Sequence, residues 1–98
     1  NKNFLKSVDK TARYFWKNLK DLEKIHEDIL EIRGAGLLLG IKTKSNNLIV
    51  SQALKKNLLL NVTASENVVR LAPPLIITKE HVDDATNIID KTFKELND

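Results

Sequence analysis

Residues 58–74 read LLLNVTASENVVRLAPP, and this stretch decides the fold. Two apolar runs, Leu58 to Val62 and Val68 to Ala72, flank a polar five-residue turn from Thr63 to Asn67, which is the pattern of a β-hairpin. The two prolines that follow end the second strand, because proline has no N–H to donate to a neighbouring strand. The stretch therefore predicts two adjacent antiparallel strands.

Upstream of the hairpin, the sequence predicts a strand and two helices. The apolar run from Leu37 to Ile41 lies between glycines and predicts a buried strand, and Leu48 to Lys56 predicts a short helix that ends at Asn57. Before them, apolar side chains recur every three or four positions, which predicts a long helix with one buried face. These side chains are Phe4, Val8, Ala12, Phe15, Leu19, Leu22, Ile25 and Ile29.

Downstream of the hairpin, Thr78 is the predicted N-cap of a last helix, with Glu80 favourable in its first turn. Its inner face is formed by Val82, Ala85, Ile89, Thr92 or Phe93, and Leu96. The element order is therefore α-β-α-β-β-α. It predicts an α+β fold with a small three-stranded, mostly antiparallel sheet covered by helices, and the third strand lies between the other two.

Both faces of this sheet carry apolar side chains, so both faces are expected to be covered. The second face is predicted to carry Leu38, Leu59 and Val68. Arg70 alternates with Val69 and Leu71, so its side chain is expected on that second face. An arginine rarely lies on an apolar surface without an anionic partner. The partner is either a carboxylate of this chain, a ligand or a missing domain.

Composition restricts the class of protein. The 98 residues suit a single domain, 1–98, and 42% hydrophobic with 30% charged residues is an ordinary globular balance. The chain has no cysteine and two histidines, so a disulfide framework or a zinc site is not expected. No apolar run is long enough to span a membrane. We expect a cytoplasmic protein and, because the chain has no methionine, a piece of a longer one.

Candidate sites for nucleic acid, nucleotides and metals fail on spacing or composition. The net charge of +3 is too small to predict a polyanion-binding protein. Gly34, Gly36 and Gly40 do not have dinucleotide-fingerprint spacing, and the stretch they occupy has no aromatic rings for stacking RNA bases. His26-Glu27-Asp28 is predicted on a helix, where consecutive side chains diverge, and His81 is expected at the surface.

Three stretches carry a family resemblance. Residues 32–41, 57–62 and 67–78, in this order and at compatible spacing, closely resemble the C-terminal domain of class III pyridoxal-phosphate aminotransferases. Within that class the chain is most similar to the acetylornithine and succinylornithine aminotransferases. It departs from the family at Asn57 and in the turn at 64–66, where the family often has glycine.

The resemblance implies a fold-type-I transaminase, a homodimer whose small domain packs on a larger domain. It implies pyridoxal phosphate in the complete enzyme and transfer of an amino group from N-acetylornithine, or a related ω-amino substrate, to 2-oxoglutarate in arginine biosynthesis. Arg70 matches the family arginine that binds a substrate carboxylate. The Schiff-base lysine motif and phosphate loop are absent, so this chain alone is expected to bind no cofactor and to be inactive. The competing hypothesis is a remnant domain that acts only as a protein-interaction module.

Overall fold

The computed structural model describes residues 2–35, 38–44, 47–57, 61–65, 68–72 and 78–96. Within them the chain forms three helices and four strands. The helices are α1 (Lys2–Ile25), α2 (Asn47–Asn57) and α3 (Lys79–Leu96), and the strands are β1 (Ile29–Ala35), β2 (Leu38–Thr43), β3 (Asn61–Ser65) and β4 (Val68–Ala72). The α+β class is confirmed, whereas the predicted count of three strands is wrong.

The strands form one antiparallel sheet in the order β1-β2-β4-β3. The predicted hairpin is present as β3 and β4, and β4 lies between β2 and β3, as the strand-order prediction required. β3 covers Asn61–Ser65 rather than the predicted Leu58 to Val62; residues 58–60 lie outside the described part of the chain. Val62 is buried and Thr63 is exposed, as expected for a strand with one face in solvent. β3 therefore includes residues 63–65, which the sequence analysis predicts as part of the turn.

The strand missed by sequence analysis is β1, because a β-bulge gives it helical spacing. The register shifts between Ile29 and Glu31, and Ile29 and Ile32 are both buried on the same face although they are three residues apart. A bulge inserts one extra residue into a strand, so the next side chain on the same face follows after three residues instead of two. Ile25, Ile29 and Ile32 are therefore spaced by four and then three residues, which continues the apolar pattern of the preceding helix.

α1 ends four residues before the predicted end. Ile25 is 68% exposed, which corrects its assignment to the buried face. The His26 N–H donates to the carbonyl of Leu22, and the Ile29 N–H donates to the carbonyl of His26. His26-Glu27-Asp28 therefore lies in the turn that leads into β1. The prediction that these residues belong to a helix is wrong.

The three helices share one hydrophobic core with one face of the sheet, which we call the core face. The helix side chains of this core are Phe15, Leu19, Leu22, Val50, Leu54, Val82, Ala85, Ile89 and Phe93, and the strand side chains are Ile29, Ile32, Leu39, Ile41, Val62, Val69 and Leu71. At the start of α3, the Thr78 hydroxyl accepts a hydrogen bond from the His81 N–H at 3.2 Å, which confirms the predicted cap. Leu96 is 37% exposed at the other end of α3, so its assignment to the inner face is wrong.

Within the described residues, the chain's own helices cover only one of the two sheet faces that the sequence predicts to need cover. The helices share a single core with the strands, and no described helix lies on the other face. Among the described helices, none is long and apolar enough to span a lipid bilayer.

Candidate functional site

The open face, opposite the core face, carries two arginines in one row across the sheet. Strand pairing places Arg33 of β1 opposite Gly40 of β2, Gly40 opposite Arg70 of β4, and Arg70 opposite Thr63 of β3. Residues paired across antiparallel strands have side chains on the same face. The row therefore presents two guanidinium groups and one hydroxyl, with a position that has no side chain between the arginines.

Gly40 is closely packed in this row. A Cβ at position 40 would lie 3.1 Å from Cγ1 of Val68 and 3.7 Å from Cβ of Arg33. The first contact is tighter than ordinary van der Waals packing, so any larger residue would push Val68 aside. Val68 is 8% exposed and covers the glycine.

Arg70 lies where the alternation of its strand predicted. Val69 and Leu71 are fully buried in the core, and Arg70 is exposed on the open face. Among the described residues no carboxylate forms an ion pair with Arg70. An external carboxylate could therefore bind its guanidinium without displacing an internal one, and a bidentate pair is the geometry that arginine favours.

The open face is more polar than the predicted apolar surface. Of the side chains assigned to it, Val68 is buried, Leu59 lies outside the described residues, and the side chain of Leu38 is not among those described. The row next to the arginines pairs Glu31 with Lys42 and Lys42 with Val68. Three cations and one carboxylate thus share the described part of this face.

Sequence reasoning missed Arg33 as a candidate because no strand was predicted before Leu37. The signal that could have identified it is the alternation of charged Glu31 and Arg33 around buried Ile32. Nη2 of Arg33 lies 3.3 Å from Oε2 of Glu31, and their side chains are 52% and 50% exposed. An exposed pair at this distance contributes little to stability, so it does not prevent Arg33 from making other contacts.

A second candidate lies at the junction of α1 and α3. A cavity of about 670 Å³ is lined by Ile25, His26, Glu27, Asp28, Lys44, Asp90 and Lys94. His26 and Asp90 are already paired, with 2.6 Å between Nε2 and Oδ1, and the imidazole packs 6.0 Å from the ring of Phe93. The lining mixes both signs of charge, and its buried histidine joins two helices. This arrangement is typical of a structural junction and not of a catalytic base.

The described side chains fit neither a metal site nor a Schiff-base lysine. No group of three or more histidine, aspartate or glutamate side chains in the described part of the chain could hold a metal ion. A lysine that forms a Schiff base at neutral pH must be desolvated. Lys20 and Lys42 are half-buried, and the other lysines whose exposure is described lie at the surface. These lysines do not fit that role.

The model of the family described as "Aminotransferase class-III" matches residues 1–93. The chain belongs to the class-III aminotransferases. This confirms the resemblance carried by the three sequence stretches, and the poor fit of the described lysines means that no step through pyridoxal phosphate is assigned to residues of this domain.

Individual class-III aminotransferases support the same assignment. The chain is 43% identical over 95 residues to the acetylornithine aminotransferase of Caldanaerobacter subterraneus subsp. tengcongensis, covering 95% of the chain and 24% of that protein. It is 38% identical over 102 residues to the ornithine aminotransferase of Plasmodium falciparum, covering 100% of the chain and 24% of that protein. The crystal structure of the acetylornithine aminotransferase from Elizabethkingia anophelis superposes with a TM-score of 0.78 at 34% identity, covering 90% of the chain and 24% of that structure.

The chain therefore spans about a quarter of the length of the curated relatives it matches. This proportion agrees with a domain of a larger aminotransferase. Within this family the described structure supplies one sheet whose core face is filled by its own helices and whose open face carries Arg33 and Arg70.

Proposed function

We propose that this chain is the C-terminal small domain of an aminotransferase that moves an amino group from N-acetylornithine, or a related ω-amino substrate, to 2-oxoglutarate. The observation that carries the proposal is Arg70, an exposed arginine without an ion pair among the described residues, on a sheet face that no described helix covers. Similarity to proteins named acetylornithine aminotransferase and ornithine aminotransferase supports this choice of substrate class. We place the reaction in arginine biosynthesis and in the cytoplasm.

In this proposal Arg70 binds a substrate carboxylate. Both substrates carry an anionic carboxylate, and a planar guanidinium can bind it through two parallel N–H donors. Buried Val69 and Leu71 fix the strand on either side of Arg70, so the guanidinium is presented from a rigid element. The residue binds and orients the substrate, and it transfers no proton.

The complete enzyme is proposed to be a homodimer that holds pyridoxal phosphate, which supplies the electron sink for amino transfer. The lysine and the phosphate-binding groups are assigned to the larger domain. The contribution of the present domain is then substrate binding and closure of the site, which excludes water from the bound substrate.

The test is a transamination assay on the complete protein that contains this chain. We expect glutamate to form from 2-oxoglutarate with N-acetylornithine as donor, and a lower kcat/KM with ornithine. A higher kcat/KM with ornithine would assign the enzyme to the ornithine aminotransferases. Absence of transamination with either donor, in a protein that is folded by circular dichroism, would favour the alternative of an interaction module.

A further inference from the structure

The described part of the open face carries an excess of positive charge. Arg33, Lys42 and Arg70 lie on it, and Glu31 is the one carboxylate among its described side chains. Of the two substrates in the proposed reaction, 2-oxoglutarate carries two negative charges, whereas N-acetylornithine carries one carboxylate and one ammonium group. The charge of the face therefore complements the acceptor and not the donor.

The two arginines of this face are spaced for the two carboxylates of one small molecule. They lie in one row on β1 and β4, whose backbones are two strand spacings, or about 10 Å, apart. An extended five-carbon dicarboxylate has its carboxyl carbons about 5 Å apart, and each contact with an arginine adds about 2.8 Å. The ligand and its two contacts thus extend over roughly the distance between the two strands.

The position between the two arginines has no side chain. Gly40 pairs with Arg33 on one side and with Arg70 on the other. A Cβ at position 40 would lie 3.7 Å from Cβ of Arg33, so the missing side chain would be on the same face as the arginine. A ligand that joins the two guanidinium groups passes over this position, where a larger side chain would lie in its path.

Glu31 does not prevent a ligand carboxylate from reaching Arg33. Nη2 of Arg33 lies 3.3 Å from Oε2 of Glu31, and about half of each side chain is exposed. An exposed pair of this kind contributes little free energy, so an incoming carboxylate displaces Glu31 at small cost. Glu31 is therefore a weak internal competitor for the guanidinium of Arg33.

We propose that Arg33 is a specificity-determining residue of the aminotransferase, which binds the second carboxylate of 2-oxoglutarate while Arg70 binds the first. This inference rests on the proposed function and adds the residue that distinguishes a dicarboxylate acceptor from a monocarboxylate. A monocarboxylate of the same length leaves Arg33 paired with Glu31 and gains only the contact with Arg70. Both arginines bind and orient the substrate, and neither transfers a proton.

The test measures binding to the complete protein without turnover. Glutarate and pentanoate, a dicarboxylate and a monocarboxylate of the same five-carbon length, are each titrated into the protein by isothermal titration calorimetry. We expect the Kd for glutarate to be lower than the Kd for pentanoate by roughly 10- to 150-fold, the effect of one additional charge-assisted hydrogen bond. Equal affinities for the two acids would overturn the proposal.

Three variants assign the difference to individual side chains. Arg33→Gln should raise the Kd for glutarate to nearly that for pentanoate and leave the Kd for pentanoate unchanged. Glu31→Gln removes the competing carboxylate and should lower the Kd for glutarate alone. Arg13→Gln, which removes an exposed guanidinium from α1, is the matched control and should change neither Kd. An unchanged ratio of the two Kd values in Arg33→Gln, or weaker glutarate binding in Glu31→Gln, would refute the role of Arg33.

The outcomes separate this inference from the proposed function. Transamination by a protein that binds glutarate and pentanoate equally would leave the proposed function standing and refute the role of Arg33. A dicarboxylate preference that is lost in Arg33→Gln, in a protein without transamination, would support the role of Arg33 and refute the proposed function. Arg70→Ala should weaken both acids, and unchanged binding of both would count against Arg70 as the receptor of the first carboxylate.

Discussion

Gly40 and Arg70 are directly opposite each other on β2 and β4, so the arginine that is the best candidate for binding substrate has a neighbour without a side chain. Val68, which pairs with Lys42 two positions along the same strands, lies close to the glycine position. Arg70 is exposed, while the strand that carries it is held by two buried neighbours, Val69 and Leu71. A binding residue on a rigid strand is positioned more precisely than one on a loop.

Replacement of Arg70 by alanine in the complete enzyme should lower kcat/KM by roughly 10- to 150-fold, the effect of losing one charge-assisted hydrogen bond of about 1.5 to 3 kcal/mol. Stability should change little, because no described internal carboxylate loses a partner. Transamination kinetics measured beside the thermal midpoint check both statements. Arg70→Lys retains the charge but not the planar guanidinium, so its kcat/KM should lie between those of the wild type and Arg70→Ala. Normal kinetics with a large loss of stability would make Arg70 a structural residue.

The pair of His26 and Asp90 should stabilise the junction of α1 and α3. Their atoms are 2.6 Å apart and the histidine is 8% exposed, so Asp90→Ala leaves a buried polar group without a partner. We expect a loss of about 1 to 3 kcal/mol in the free energy of unfolding by urea. Glu95→Ala is the control, because its pair with Lys91 is 4.0 Å long and exposed. Glu95→Ala should lower the free energy of unfolding by under about 0.5 kcal/mol. Equal losses in Asp90→Ala and Glu95→Ala would contradict a stabilising role for the His26–Asp90 pair.

The inner face of α3 should end before Leu96. Ile89 is fully buried, and Ile89→Ala should cost about 2 to 5 kcal/mol of unfolding free energy through lost apolar burial and the cavity it leaves. Leu96 is 37% exposed, and Leu96→Ala should cost under about 1 kcal/mol. Both values come from the same urea denaturation series. A loss at Leu96 as large as that at Ile89 would restore the helix face predicted from the sequence.

The packing of α1 on the edge strand should depend on Gly34. A Cβ at position 34 would lie 2.8 Å from Cδ1 of Trp16, closer than non-bonded atoms approach, so Gly34→Ala must displace the indole. Trp16 is the single tryptophan of the chain, and its fluorescence reports this movement directly. We expect an emission shift to longer wavelength as the ring becomes more exposed. Gly40→Ala, on the open face, is the matched control and should leave the emission unchanged; an unchanged spectrum in Gly34→Ala would disprove the contact.

The amino-acid sequence by itself determined the parts of this fold that depend on local periodicity. Alternation in Val68 to Ala72 placed Val69 and Leu71 in the core and Arg70 on the opposite face, and the structure shows this arrangement. The hydroxyl of Thr78 identified the start of α3, because a cap involves only residues of the same turn. The motifs around these strands also identified the family that the comparisons show.

Tertiary structure decided what periodicity cannot distinguish. The bulge after Ile29 gave β1 the spacing of a helix, and its pairing with β2 establishes that Arg33 is a strand residue. The row that brings Arg33, Gly40 and Arg70 together joins residues far apart in the chain, and strand register is set by packing across the sheet and not by any one segment. The burial of His26 and the exposure of Leu96 likewise depend on how α3 lies against its neighbours. The apolar periodicity of a helix predicts which side chains can be buried, but it does not predict where along the helix the packing ends.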